Sequence, residues 1–470
     1  MFELDLVEWA VEEARNRGAS YAEARYEAQR QEQFLLKNGN LDVLFNGNDR
    51  GIGIRVLFDG ALGFAAGNDV TRDGTRTLVE DAIAIAKSGS RKKKIVFTEE
   101  PGVEAEWKVP EKKPLLDTPV EEKLEAFNHI DRELTDLGLN LAARILSWSG
   151  TGIDKYFVNS DGAKIHSYSP RARMFYFLTV AHNGDVEQGS RSMGYGGGWE
   201  AFAEWDAMNR VLEDARSLQS SLEEGKKSPE GKMDLVAGPS VTGIASHESC
   251  GHPTEADRIL GREASQAGKS FIMPDSIGDR VGSDLVNVVD DPTVPNTVAY
   301  YEYDDEGVKA RRRYLYKDGL INEFLQNRET ASVLGTRSNG AARAVNYNVE
   351  AIVRMANTFV EPQDWSVEEM IEGVKDGIYM KTFSEWNIDD KRYNGKYVGR
   401  EAYRIENGEI GAPVRNTVVE LTTPAWWSAV DAVGKDLEFE AGFCGKSDPT
   451  QSLDAMLGGP TIRLHDVYLR

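Results

Sequence analysis

Two of the six histidines, His247 and His252, stand five residues apart, and a carboxylate, Glu248, directly follows the first. Imidazoles beside a carboxylate are what a divalent metal and a general base require. The pattern H-E-x-x-x-H is one residue longer than the H-E-x-x-H of zinc peptidases, and the extra residue changes the geometry. An α-helix turns about 100° per residue, so positions i and i+5 diverge by roughly 140° instead of sharing a face. Two devices bring the rings together. A single π-turn restores the shared face. Alternatively the helix ends between them, since Gly251 frees the backbone and Pro253 drives His252 out of the α region. On spacing alone, a helix with two incidental histidines, one buried and one solvated, stands beside the metal reading.

The cysteines weigh on that choice. There are two, Cys250 inside the motif and Cys444 in the glycine-flanked segment Gly442-Phe443-Cys444-Gly445-Lys446 near the C-terminus. Zinc takes thiolate and imidazole together, and a catalytic site has three protein ligands with one position left for water. His247, His252 and Cys444 make that set. Zinc then acidifies its bound water and polarises a scissile carbonyl, with an adjacent carboxylate accepting the proton and passing it to the leaving amine. Cys250 raises a rival chemistry, a nucleophilic thiol paired with His252 or His247, although a buried helical cysteine more often only packs.

The elements that must position these groups follow from the surrounding pattern. Met233 to Gly238 reads as a short strand with a glycine stop, and Gly238-Pro239-Ser240 opens a helix of roughly three to four turns that carries the motif. A chain of 470 residues exceeds the roughly 250–300 that one core sustains. The expected fold class is α+β, with small helix/antiparallel-sheet domains followed by a large mainly antiparallel β domain that carries the zinc-site helix. Residues 1–89 read as an N-terminal α+β domain. It has a helix over 3–17 (Leu6, Val7, Ala10, Val11 and Ala14 at helical spacing), strands near 20–36, 40–46, 51–58 and 60–66, and a helix near 73–88. Asn38-Gly39-Asn40, Asn46-Gly47-Asn48 and Asp59-Gly60 are hairpin punctuation. Residues 90–117 read as a linker, with a basic cluster at Ser90–Lys94. Residues 118–224 repeat the layout: helices near 119–137 and 199–223 flank strands near 139–149, 152–159, 162–168 and 172–184. Residues 225–470 form the catalytic β domain. Its 326–348 stretch reads as too polar and glycine-rich for a core.

Composition narrows the function classes. There are 55 Lys and Arg against 77 Asp and Glu, a formal net charge of −22. Nucleic-acid binding rests on neutralising phosphates with cations, so no nucleic-acid partner is expected. The same balance favours neutral or cationic peptides over acidic ones. No apolar run approaches the roughly 20 residues of a membrane span. Glu3, Asp5 and Glu8 are unlike a secretory signal, and two cysteines make no disulfide framework, so a cytoplasmic chain is expected.

The motif order resembles that of the TldD/PmbA family of metallopeptidases, on the metal-bearing TldD side. The segments that carry the resemblance are His247-Glu248-Ser249-Cys250-Gly251-His252, Arg354-Met355-Ala356-Asn357-Thr358, Glu401-Ala402-Tyr403 with Ile405-Glu406-Asn407-Gly408, and Cys444-Gly445-Lys446 followed by Gly459-Pro460. The resemblance implies zinc on His247, His252 and Cys444, Glu248 activating the water, and hydrolysis of small or unfolded peptides in a homo- or heterodimer with a homologous TldD/PmbA subunit. It marks Arg354 and Asn357 as substrate-binding or cleft-holding residues. A non-catalytic assembly partner or regulatory subunit of such a complex is the alternative. The chain departs from the family in two loops: Lys381–Val398 lacks its usual glycine-rich turn, and Ser447-Asp448-Pro449 follows Cys444-Gly445-Lys446. Both are expected to line the cleft. His465 reads as structural, and Glu255, Asp257 and Arg258 as either partners of the imidazoles or a solvated helix face.

Overall fold

The first half of the chain uses one plan twice. In the computed structural model, which describes residues 2–89, 93–263 and 268–470, helix α1 (Phe2–Asn16) precedes strands β1 (Tyr21–Lys37), β2 (Asn40–Phe58) and β3 (Ala61–Gly67) and helix α2 (Arg72–Ser88). After β4 (Glu104–Lys108), helix α3 (Val120–Asp136) precedes β5 (Leu141–Asn159), β6 (Lys164–His182) and β7 (Asp185–Gly196), and a helix spans Ala207–Glu224. The two halves share a seven-stranded sheet in the order β3-β2-β1-β5-β6, with β4 and β7 both along the far edge of β6. At its centre β1 and β5 pair antiparallel from Glu23↔Asn159 to Lys37↔Ile145. The apolar stripe of α1 is buried as its spacing predicts, Leu6, Val7, Ala10, Val11 and Ala14 all facing inward.

Several strand limits differ from the sequence reading. Asn38-Gly39 and Asp59-Gly60 do turn the chain, all four residues holding positive φ, as two-residue hairpin loops demand. Asn46-Gly47-Asn48 does not turn: β2 runs straight through it, pairing Asn46 with Glu32 and Asn48 with Arg30. The breaks expected near Gly150–Thr151 and 169–171 are likewise absent, since Gly152 pairs with Pro170 inside one continuous ladder. Turn residues are local preferences, and a full-length partner strand overrides them. The helix expected over 199–223 is broken at Asp206, which sits in the left-handed region between Ala201–Glu204 and Ala207–Glu224. Of the Ser90–Lys94 basic cluster, residues 90–92 lie outside the described residues; Lys94 pairs with Asp59.

The C-terminal half holds two main sheets. In the ten-stranded one, Gly231–Ala237 lies between Ile462–Leu469 and Asp376–Met380. The six-stranded one runs through Val288–Asp290, Asn357–Val360, Gln451–Gly459 and Glu438–Lys446. Most pairs are antiparallel, but Gly231–Ala237 runs parallel to Asp376–Met380, and Asn357–Val360 parallel to Gln451–Gly459. The helix Pro239–Ser246 starts where Gly231–Ala237 ends and lies against Gln451–Gly459. Their backbones come so close that a Cβ at Gly243 would meet the Leu457 carbonyl oxygen at 3.0 Å, a contact tight enough that the neighbouring backbone would have to give. The 326–348 stretch is not a surface loop: Arg328, Thr330, Ala331, Asn339, Ala341, Ala342 and Arg343 are buried. Its polar groups are tied to the N-terminal sheet, Arg328 donating to the Tyr21 hydroxyl at 3.1 Å, the Thr98 carbonyl at 2.7 Å and Asp161 at 2.5 Å. Among the described residues, no helix is long and apolar enough to cross a membrane.

Candidate metal centre

The helix Pro239–Ser246 does not end at the motif. It widens into a π-turn over His247–Gly251 and then tightens into a 3₁₀ turn over His252–Thr254. Of the two devices offered by the sequence, the π-turn is the one used: the helix does not end between the histidines, and His252 stays in the α region at φ −56° and ψ −45°, so Pro253 does not drive it out. The wider turn returns the i+5 residue to the face of the first, and the two imidazole rings lie 4.9 Å apart at 78°. Gly251 makes the turn possible in a crowded place, because a Cβ there would overlap Met355 Sδ.

The third group arrives on the strand Glu438–Lys446. Cys444 Sγ lies 3.5 Å from His252 Nε2, and ligand atoms of His247, His252 and Cys444 all fall within 4.8 Å of one another, in a buried setting. Burial lowers the basicity of both imidazoles. Burial also pushes the Cys444 thiol up, but the neighbouring His252 ring and the Arg354 guanidinium outweigh it and bring the thiol down to about 7. Neutral imidazole and ready thiolate are the forms that bind a metal. His247 Nδ1 is buried without a hydrogen-bond partner, an expensive condition for a polar atom unless something else satisfies the ring. An S,N,N donor set of this kind suits zinc, so the residues present fit a bound metal ion.

Around the ligands lies a charged layer. His252 Nδ1 is 2.9 Å from Glu255 Oε2, the bond that orients a ligating imidazole and fixes which nitrogen faces the ion. Glu255 is itself held by Arg258 at 2.5 Å and by Lys446 at 3.1 Å. Burial raises its carboxyl, but Lys446 and Arg258 prevail and hold it well below the usual range. The residues after the motif are thus buried partners, not a solvated face. Lys446 also reaches Asp257 at 2.7 Å and the Val353 carbonyl at 2.7 Å.

The other candidates fall as follows. Glu248 is buried beside the pocket and ion-paired with Arg392. That arginine comes from the Lys381–Val398 segment, one of the two loops expected to line the cleft. Arg354 is buried, donating to the backbone carbonyls of Cys444 and Gln451 (2.9 Å for the latter), and so braces the hairpin that carries the thiol. Asn357 is buried and donates to the Asp291 carbonyl at 2.6 Å. Cys250 is outside the His247, His252 and Cys444 cluster and packs in the apolar core, where burial pushes its thiol well up; this removes the activation that a nucleophilic thiol needs. His465 is exposed and 2.8 Å from Asp234, far from the pocket in role. Arg392 carries no sequence signal, whereas the partner role of Glu255 is one of the two readings the sequence leaves open. Only Glu255, three residues after His252, stood at a spacing that predicts contact.

The chain is similar to known proteins along nearly its whole length. Residues 230–469 match the PmbA/TldA metallopeptidase C-terminal domain, residues 22–86 its domain 1 and residues 113–219 its central domain. A metalloprotease of Methanocaldococcus jannaschii is 30% identical over 445 residues, covering 94% of this chain and 95% of that protein. A zinc metalloprotease TldD homolog of Saccharolobus solfataricus is 28% identical over 463 residues, 97% of each chain. Among solved structures, TldE of Thermococcus kodakarensis superposes with a TM-score of 0.78 at 17% identity over 100% of both chains. A putative modulator of a DNA gyrase from Thermotoga maritima gives 0.79 at 18%, over 99% of each. The whole chain, from the N-terminal sheet to the strand bearing Cys444, belongs to the TldD/PmbA metallopeptidase family.

Proposed function

We propose that the protein is a zinc metallopeptidase that hydrolyses small or unfolded peptides. The observation that carries this reading is the convergence of His247, His252 and Cys444, from positions nearly two hundred residues apart in sequence, onto one buried point. These three side chains would hold the ion. Bound zinc would supply Lewis-acid polarisation of the scissile carbonyl and acidification of a water. Glu248, directly after His247 in the chain and buried, takes the proton from the attacking water and delivers it to the leaving amine. Arg392 fixes the direction of the Glu248 carboxylate through their ion pair. Glu255 holds His252 in the ligating tautomer. The names of the relatives support the reading: those from Methanocaldococcus jannaschii and Saccharolobus solfataricus are called a metalloprotease and a zinc metalloprotease. We place the enzyme in the cytoplasm, acting as a homo- or heterodimer with a homologous subunit.

The test is Glu248→Gln. Zinc content by elemental analysis should stay near that of the parent while hydrolysis of a quenched-fluorescent peptide falls by at least about 10²-fold, the lower end of what a general base contributes. Turnover retained in a zinc-replete Glu248→Gln protein removes Glu248 from the mechanism. Absence of zinc from the parent protein removes the reading altogether.

A further inference from the structure

A cleft opens between β6 of the N-terminal sheet and the C-terminal half, next to the metal centre. Ser167, Ser169 and Arg171 line it from β6; at i, i+2 and i+4 of one strand they share a face. Opposite stands Arg343, with Tyr301 beside it.

Arg343 is the unusual member. It is buried, its Nη1 donates to the Met355 carbonyl at 2.6 Å, and its guanidinium sits 5.5 Å from the Tyr301 ring centre. Among the described residues no carboxylate lies within ion-pair distance of it. Burial is the largest influence against its charge and the nearby Arg171 and Arg354 add to it, while Tyr301 and the more distant Asp454 offset only part of this, leaving its basicity lowered. A buried guanidinium without a counter-ion is costly, so the position invites an anion from outside. The neighbours do not supply one. Asp454 is shared between Arg171 at 2.8 Å and Arg173 at 2.5 Å. Asp305 is matched by Lys155. Asp304 accepts from the backbone N–H groups of Glu306, Val308 and Ala342, and burial raises its carboxyl well above the usual range. The cleft is thus short of negative charge in a protein with an overall excess of it.

Its position relative to the metal centre is fixed by the backbone. Leu453, on the cleft wall, is the cross-strand partner of Cys444. Met355, whose carbonyl receives Arg343, lies against Gly251 in the π-turn. A peptide advances about 3.3 Å per residue when extended, so a group bound here lies within a few residues of the scissile bond.

We propose that this cleft is a carboxylate subsite, in which Arg343, with Arg171, receives the C-terminal α-carboxylate of a short peptide. Guanidinium and carboxylate match in bidentate geometry, and a single terminal carboxylate is the anion that a chain of net charge −22 repels least. The proposal rests on the peptidase reading for its choice of ligand, and its test is binding, so that the two can fail separately.

Three N-terminally labelled pentapeptides of one sequence would be titrated by fluorescence anisotropy into zinc-loaded Glu248→Gln protein and into the metal-free form. The first ends in a free acid, the second in an amide, and the third is an amide with glutamate as its last residue. The free acid should bind at least about tenfold more tightly than the amide, the scale of a charge-assisted pair, in both metal states. The gap should close in Arg343→Gln and narrow in Arg343→Lys, which keeps charge but not the fork. A gap within twofold in the parent overturns the subsite, whatever the variants do, and so does a gap that survives Arg343→Gln. Equal binding of the glutamate amide and the free acid overturns the assignment to the α-carboxylate. Should the gap be present while no peptide is ever hydrolysed by the parent, the peptidase reading fails and the subsite stands.

Discussion

The two cysteines are both buried, stand near the same π-turn, and have been driven in opposite directions. Cys250 packs in the apolar core, where burial outweighs its contacts with Ser249 and Tyr316 and the thiol rises. Cys444 meets the same burial, but His252 and Arg354 reverse its effect and bring it to about 7. Burial by itself therefore says nothing about reactivity; the charges that accompany it decide. The two thiols thus differ in the charges beside them and not in how far they are buried.

The sharpest way to break that contrast is to exchange the sulfur atoms for something else. Cys444→Ser should cost zinc affinity by more than about 10²-fold, beyond what loss of an outer partner costs, and should abolish peptide hydrolysis. Cys250→Ala should leave zinc content and turnover intact and lower stability by about 1–2 kcal/mol, a small cavity term. Competition with a chromophoric chelator reads the first, and denaturant unfolding the second. If Cys250→Ala lost activity while keeping its zinc, the thiol would have a chemical role that its surroundings do not explain.

A smaller effect is expected one bond further out. Glu255→Gln removes the charge that orients His252 and leaves Lys446 and Arg258 without their shared acceptor. Zinc affinity should fall about 10- to 100-fold, with stability reduced as well because two buried cations lose the negative charge they share. Asp257→Asn, which leaves the His252 contact in place, should change zinc affinity far less. Equal losses in the two variants would mean that the charged layer supports the fold and not the imidazole.

The thiols can also be compared without mutation. In metal-free protein a small alkylating reagent should modify Cys444 with a rate that climbs as pH rises through about 7 and levels off above it, since only the thiolate reacts. Cys250 should remain unlabelled across that range, and added zinc should protect Cys444. Mass spectrometry of the labelled peptides reads both.

Much of the metal pocket was legible because its signals are local or chemically rare. A five-residue histidine spacing with glycine and proline just behind it predicts a distorted helix, and one spare cysteine predicts the third ligand. Arg392 was not legible: its contact with Glu248 spans 144 residues, and nothing in Lys391-Arg392-Tyr393 announces it. Long strands were also read as pieces. The glycines at 47 and 150 look like breaks along the chain, whereas β1 gives each a partner, Gln31 and Glu32. The polar 326–348 stretch misled for a related reason, since Arg328 is buried by Tyr21, Thr98 and Asp161, all far away in sequence.

Gly251 joins the two sides of the comparison and gives the smallest predicted effect. Its φ is ordinary for a helix, so alanine there meets no backbone strain. What alanine meets is Met355 Sδ, and methionine is the side chain best able to move aside. Gly251→Ala should therefore fold, with a loss of about 1–3 kcal/mol from overpacking. A displaced Met355 also shifts its chain neighbour Arg354, which braces the Cys444 carbonyl. Gly251→Ala should accordingly weaken zinc binding modestly, whereas trimming the same neighbour in the double variant Gly251→Ala/Met355→Ala should restore it. A double variant that binds zinc no better than the single one would place the demand for glycine in the π-turn itself and not in the space beside it.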